Sequence, residues 1–473
     1  MTALDTTALA PDLHVLADRL RAELGEDAVV SDPAPQYAGD RAVSAEPGTP
    51  YLLALPRDVE GVQAVLRLSH DTGTPVVPRG SGSGLSGGAA PTLGAIVLGL
   101  ERLTRIREID PVDEVAVVEA GVITADLSRA LAPRGFFYAP DPASAHLSSI
   151  GGNIATNAGG LHCAKYGVTR ESVLGLEVVL ADGTLLRTGH RSVKGVTGLD
   201  LSQLLIGSEG TLAVVVAATV RIRPLPVARR SVLARFPTIA QATVGVNAIS
   251  LSPVRPAASE LLDARSLEDI EENTGERVAE GDSAVLLVEL DGYGIGEQTR
   301  DLTTALVASG ARVTVLEDEA EAEHWWELRR SGRGSGVGQF RLGEDVAVPK
   351  SRLGSVFAAL ERIGAEHGVR TSAVAHAGDG NLHPSFSLPR PDDDPAEAAT
   401  GPRAPIPPVI HEAADALVRE ALAAGGTISG EHGIGTAKRG WLDLELSPAS
   451  RDLQRRLKDA FDPQHLLNPG KAL

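Results

Sequence analysis

Three imidazoles and a carboxylate are concentrated in two short, glycine-bracketed segments, His376-Ala-Gly-Asp-Gly-Asn-Leu-His383 and Gly430-Glu431-His432-Gly433-Ile434-Gly435. Imidazole and carboxylate suit Zn, Mn or Fe(II), and three protein ligands without cysteine leave coordination positions open to a substrate. This is the inventory of a catalytic divalent-metal site with one base to spare. A strand ending at His376, a tight turn over Gly378-Asp379-Gly380 and a second strand reaching His383 would set two imidazoles facing one another across a hairpin. Asp379 is an alternative ligand, although a position between two glycines suits turn chemistry better. A lone strand histidine is ordinarily a hydrogen-bonded core residue; the neighbouring Glu431-His432 pair is what favours a metal.

Glycine clusters form the second chemical signal. In Arg79-Gly-Ser-Gly-Ser-Gly-Leu-Ser-Gly-Gly-Ala-Ala-Pro91, Gly82, Gly84 and Gly87 satisfy the dinucleotide pattern G-x-G-x-x-G. That pattern needs a helix directly behind it, and only seven residues, Pro91 and Gly94 among them, separate Gly87 from the next apolar run at Ala95. No helix fits. Bare backbone N–H groups in a concave turn can still cradle a pyrophosphate, with Ser81, Ser83 and Ser86 adding hydroxyls. A second cluster, Ser148 to Gly160, combines small residues with Asn153, Thr156 and Asn157, and a third, Ile206-Gly-Ser-Glu-Gly-Thr211, precedes a strand. Three clusters in one region predict a long ligand lying across several loops.

The elements that must position these groups fall into two styles. Leu13, Leu16, Leu20 and Leu24 predict a helix over 12–24, capped by Asp12 and closed by Gly25. Short β-rich runs follow at 75–78, 95–100, 115–122, 174–183 and 211–224, and Pro224 with Pro226 marks a domain boundary. Beyond it the pattern is α+β, with helical windows near 257–273, 298–309, 319–330, 351–367, 409–424 and 448–460 and strands at 284–292 and 371–378. The reading is therefore a helical lead-in over 1–46, a β-rich domain over 47–226 and an α+β domain over 227–473. Seven prolines and an Asp triplet between Pro389 and Pro408 predict a mobile surface insertion within the second domain.

With 473 residues, the chain is long enough for two cores. Its formal charge of -18 argues against nucleic-acid and anionic-membrane partners. The single cysteine, Cys163, excludes an intrachain disulfide and fits a reducing compartment, so a cytoplasmic location is expected. The N-terminus has no signal-peptide pattern. The longest apolar stretch, Leu212 to Val220, is nine residues, about half of the roughly 20 needed to span a bilayer.

Taken in order, PRGSGSGLSGGAAP, DPASAHLSSIGGNIATNAGG, CAKYGVTRE, IGSEGTLAVV, HAGDGNLH, SGEHGIG and DPQHLLNPGK resemble the vanillyl-alcohol-oxidase (PCMH-type) FAD flavoproteins. The branch they are similar to holds D-lactate dehydrogenase, the flavin subunit of glycolate oxidase and D-2-hydroxyglutarate dehydrogenase. The resemblance implies a PCMH-type FAD-binding domain of two subdomains followed by an α+β, ferredoxin-like FAD-linked oxidase C-terminal domain. It also implies that Arg79, Gly80, Ser81, Gly82, Ser83, Gly84 and Leu85 wrap the FAD pyrophosphate. Asp141, Ser148, Gly151, Gly152, Asn153, Thr156, Asn157, Gly159, Gly160, Glu209, Gly210 and Asn468 would line the remainder of the cofactor. The first loop lacks the histidine through which some relatives attach FAD, so the flavin is expected to be non-covalent.

By the same resemblance His376, His383 and Glu431 are the metal ligands, for Zn or Mn, and His432 beside them is the base that takes the hydroxyl proton of a 2-hydroxy acid while its hydride passes to flavin N5. Arg329 falls where relatives carry a substrate-binding arginine, with Arg330 and Arg333 nearby, and Ser385 stands two residues past the second histidine. The hydroxyglutarate enzymes have threonine where Arg333 stands, a lysine with no match in 339–349 and asparagine at the Ser385 position. These departures favour a monocarboxylate, D-lactate or glycolate, over a dicarboxylate. The alternatives are a D-2-hydroxyglutarate dehydrogenase and a non-redox synthase of the same fold, whose run of adjacent histidines is missing. An electron acceptor, a partner subunit, a homodimer and peripheral association with a membrane through the acceptor are further expectations.

Overall fold

The structure is a computed structural model that describes residues 13–42, 45, 48–50, 52–331, 338–390 and 405–473. Asp12, Arg333 and positions 391–404 of the expected insertion lie outside the described residues. The chain forms two units: Met1–Gly159, Gly167–Leu225 and Glu431–Leu473 make one, Gly160–Tyr166 and Pro226–Gly430 the other.

In the first unit a helix, Leu13–Leu24, precedes a four-stranded sheet of β1 (Val29–Val30), β2 (Leu52–Ala54), β3 (Val76–Arg79) and β4 (Ile96–Gly99), in the order β1-β2-β4-β3. Both neighbours of β4 run parallel to it, so the β2–β3 connection must cross over. The helix Val59–Thr72 makes that crossover; Asp58 caps its start by accepting from the Gly61 N–H, and Gly73, at φ 68°, ends it. Its Val62, Val65 and Leu66 pack against Leu52, Ile96 and Leu98 in one buried cluster, each such side chain contributing about 1.5–3 kcal/mol relative to exposure. A five-stranded antiparallel sheet follows, from β5 (Ile106–Asp110), β6 (Val115–Glu119), β8 (Val173–Val179), β9 (Leu185–Gly189) and β10 (Val214–Arg221), ordered β5-β6-β10-β8-β9. A short ribbon pairs β7 (Phe136–Phe137) with β11 (Arg223–Pro224).

The second unit is built on one antiparallel sheet containing β12 (Arg229–Phe236), β13 (Ala258–Asp263), β14 (Ala284–Asp291), β15 (Arg312–Leu316), β16 (Gln339–Gly343), β18 (Arg370–His376) and β19 (Asn381–Pro389), in the order β15-β12-β14-β13-β18-β19-β16, with β17 (Val346–Ala347) also on β19. The predicted helical window 257–273 is half wrong: Ala258–Asp263 is β13, and only Ala264–Thr274 is helix. β13 is buried along nearly its whole length, so its sequence, ASELLD, has no period-2 alternation to distinguish it from a helical turn. Asp263 makes the switch, capping the helix by accepting from the Ser266 N–H at 2.8 Å. The other five windows are helices, within a few residues of the expected bounds.

The short segment Gly160–Tyr166 belongs with this unit for a visible reason. His162 Nε2 lies 3.1 Å from Glu289 Oε1, Tyr166 Oη donates to Asp291 Oδ2 at 2.5 Å, and Lys165 pairs with the same Asp291 carboxylate. Among the described residues no helix is long and apolar enough to cross a membrane.

Candidate active site

As expected, no helix follows the first glycine loop; it turns directly from β3 towards β4. Its shape depends on Arg79, which is 6% exposed and donates through Nη2 to Gln36 O at 2.6 Å, with its guanidinium over the Tyr37 ring. Gly82 sits at φ +72°, and a β-carbon there would lie 1.8 Å from Arg79 Nη1, so only glycine lets the loop close over the guanidinium. Gly80 packs against Ser149, where a β-carbon would meet Oγ at 2.5 Å. Leu85 and Ser81 are exposed at the rim.

The second glycine cluster contains an unexpected helix, Ile150–Thr156, capped by Ser149 and ended by Asn157 in the left-handed region. This assigns internal work to several residues read as ligand contacts. Asn153 Nδ2 donates to Thr124 Oγ1 at 2.7 Å, Ser148 Oγ is 3.2 Å from the same hydroxyl, Asn157 Oδ1 accepts from the Arg170 N–H, and Thr156 Oγ1 donates to Gly152 O. Gly151 is pressed against Ala120 and Gly159 against Glu431, whose Oε2 would be 2.5 Å from an added β-carbon. Asp141 is half-buried.

Glu209 joins these loops into one assembly. Its buried carboxylate accepts from the Ile434 N–H at 2.7 Å and the Gly435 N–H at 2.8 Å, although burial pushes the carboxyl above its ordinary range. Asn468 Nδ2 donates to Gly88 O and to Glu209 O, Lys471 Nζ donates to Ala90 O, and Thr436 and Ala437 donate to Ser86 O. Gly210, at φ +71°, closes the turn over Pro78. The first loop, the Glu209-Gly210 turn, the loop that begins at Glu431 and the C-terminal tail thus brace one another. Glu431 and His432 are half-buried at the start of that third loop.

A different construction appears in the second unit. Glu260 of β13 pairs in register with His376 of β18, and His376 with Asn381 of β19; two residues along, Leu262 pairs with Val374 and Val374 with His383. Directly paired residues share a sheet face, so all six point the same way. The rings of His376 and His383 are 5.0 Å apart at 85°, as the hairpin reading expected. A carboxylate oxygen of Asp345, in the turn between β16 and β17, lies within 4.8 Å of a His383 ring nitrogen, and Ser429 Oγ donates to Asp345 Oδ2 at 2.8 Å. Asp379 Oδ1 accepts from the Asn381 N–H, which is turn chemistry. Gly430, the last residue of this unit, lies against Asn381: a β-carbon on it would be 2.3 Å from Oδ1.

Sequence reasoning missed Glu260. Its Oε1 lies 2.7 Å from His376 Nδ1 and its Oε2 accepts from Arg329 Nε at 2.7 Å, with Arg329 Nη2 at 2.5 Å. Burial would raise this carboxyl, but His376 and Arg329 outweigh it and hold Glu260 below the usual carboxylate range. Arg329, expected at the substrate, is 6% exposed and gives at least two of its donors to Glu260. Ser385 is buried one step past His383 on the same face, its Oγ accepting from Arg341 Nε at 2.7 Å.

Residues 50–189 match the family described as "FAD binding domain" and residues 225–472 the one described as "FAD linked oxidases, C-terminal domain". The chain belongs to the FAD-linked oxidases. It is 38% identical over 428 residues to "Glycolate oxidase subunit GlcD" of Bacillus subtilis (strain 168), covering 89% of this chain and 88% of that protein. It is 32% identical over 464 residues to "D-lactate dehydrogenase" of Archaeoglobus fulgidus, covering 95% and 98%. Among solved structures, 4-ethylphenol oxidase from Gulosibacter chungangensis superposes with a TM-score of 0.75 at 19% identity over 98% of both chains, which shares the fold. This FAD-linked oxidase is accordingly an FAD-dependent oxidoreductase with the two-domain architecture that its motifs imply.

The first unit fits FAD on its own chemistry. Arg79 Nε and Nη1 are buried and make no hydrogen bond among the described residues, and a buried guanidinium with two donors open in this way suits an anion such as a pyrophosphate. In the second unit, two imidazoles on one rigid sheet face fit a divalent metal.

Proposed function

We propose that this FAD-linked oxidase oxidises a D-2-hydroxy acid, with D-lactate or glycolate preferred over a dicarboxylate, to the 2-oxo acid. The names of its glycolate oxidase and D-lactate dehydrogenase relatives support the substrate class. Arg79 to Leu85 hold the FAD pyrophosphate, the segment Ser148 to Gly160 with Asp141, Glu209, Gly210 and Asn468 shapes the rest of the flavin site, and FAD is bound without a covalent link. His376, His383 and Glu431 hold a divalent metal, Zn or Mn.

One observation carries this reading. Glu431 packs on Gly159 of the second glycine cluster, while its covalent neighbour Gly430 lies against Asn381, the cross-strand partner of His376. Consecutive α-carbons are about 3.8 Å apart, so Glu431 and His432 follow in the chain directly on a residue that packs against the cross-strand partner of His376.

Oxidation removes the hydroxyl proton and the Cα hydride, leaving a carbonyl. Bound FAD supplies the hydride acceptor. A bound divalent metal supplies a Lewis acid that lowers the hydroxyl pKa and holds the carboxylate. His432, as a neutral imidazole, takes the hydroxyl proton. Arg329 and Ser385 orient the substrate carboxylate end. Electrons then leave for an acceptor or a partner subunit.

An anaerobic screen of D- and L-2-hydroxy acids, read as loss of flavin absorbance with and without a chelator, tests the reading. D-lactate or glycolate should bleach the flavin, and chelation should suppress it. Bleaching by neither acid overturns the substrate class, and chelator-insensitive bleaching overturns the metal.

A further inference from the structure

We propose that Glu260 is a positioning residue for the metal centre, fixing His376 with its proton on Nδ1 and its Nε2 lone pair directed to the ion, and that Arg329 holds Glu260 in place for that purpose. The inference rests on the metal reading above and deepens it.

The geometry leaves Glu260 little other work. It is fully buried, and its two oxygens face two different partners: Oε1 the His376 imidazole at 2.7 Å, Oε2 the Arg329 guanidinium at 2.5 and 2.7 Å. An ionised carboxylate only accepts hydrogen bonds, so Nδ1 of His376 is the donor, and a His376 that ligates a metal as a neutral imidazole then has its lone pair on Nε2. The ring is then held in one tautomer and one orientation. The planar fork of the Arg329 guanidinium fixes the carboxylate plane. With both oxygens engaged, Glu260 is not itself a ligand.

Register delivers this arrangement without any adjustable loop. Glu260 and His376 are direct cross-strand partners in β13 and β18, and Arg329 comes from the helix Glu319–Ser331. Metal-bound histidines commonly donate their second nitrogen to a carboxylate, and loss of that partner weakens metal binding by about 10–100-fold.

The test measures Zn2+ and Mn2+ affinity by chelator competition, with FAD content and thermal denaturation as controls for folding. The wild-type protein, Glu260→Gln and the double variant Glu260→Gln/Arg329→Gln are compared, the double variant because it leaves no unpaired buried guanidinium. Expected are normal FAD content, metal affinity reduced about 10–100-fold in both folded variants, and, in Glu260→Gln, which keeps Arg329, recovery of flavin reduction when metal is supplied in excess, which a merely architectural defect does not show. Unchanged affinity in a folded variant overturns the role of Glu260 while leaving the metal reading standing. A wild-type protein that binds neither ion overturns the metal reading and this inference together.

Discussion

The glycine loops of the first unit and the histidine sheet of the second are built on opposite plans. The loops work through backbone: Gly82 and Gly210 adopt positive φ, and side chains such as Asn153 and Asn157 are spent on internal bracing. The sheet works through side chains: Glu260, His376 and His383 project from strands whose register is set by continuous ladders. A backbone cradle tolerates change at its rim and none at its closest approach. A sheet site holds its atoms rigidly, but depends on each side chain and on its neighbour.

This contrast can be broken most forcefully at His432, the proposed base. His432→Ala should retain FAD and metal yet reduce flavin about 10²–10⁴-fold more slowly, measured by anaerobic stopped flow; near-normal reduction removes it as the base. Next in size is a double dissociation. Gly82→Val forces a β-carbon into the Arg79 guanidinium at positive φ, so the purified protein should lose most of its flavin absorbance while still binding metal. His383→Ala should do the reverse, losing metal by elemental analysis while staying yellow. A variant that loses both ligands erases the distinction between the plans.

Two smaller effects sharpen it. Denaturation of the wild-type protein should release all flavin into the supernatant, and colour retained on the polypeptide contradicts non-covalent binding. Asp263, which caps the helix after β13 and accepts from the Ala373 N–H in β18, is raised to about 6 by burial, against contributions from Ser266 and Ala373. A carboxyl raised in the folded state binds more protons there than when unfolded. Its contribution is therefore fully present below the unfolded value of 3.8 and is lost as pH rises to about 6, by at most about 3 kcal/mol. Urea titrations at several pH values should show this slope, and Asp263→Asn should flatten it.

How far each plan was legible from residues alone follows from the same physics. Glycine spacing reports backbone geometry directly, so the Arg79–Pro91 loop and the missing helix behind it could be read in advance. The facing of His376 and His383 was also legible, because the turn between them is short. Glu260 was not, because it meets His376 only through strand pairing across 116 residues of chain, and its almost wholly buried strand resembled a helix. Arg329 was noticed for its charge and expected at the substrate; its engagement with Glu260 appears only when the helix carrying it is laid on the sheet. The internal hydrogen bonds of Asn153, Thr156 and Asn157 were not legible either, because a polar side chain in a glycine-rich run looks uncommitted until the seven-residue helix and its cap are seen.

The peptide bond between Gly430 and Glu431 has a consequence for recombination. A chimera that exchanges residues 226–430 for those of a relative receives a foreign histidine sheet but keeps its own Glu431 and His432 alongside the flavin loops. The outcome of such a graft therefore turns on where the splice falls: cutting at this bond trades two of the proposed ligands and leaves the third behind with the proposed base.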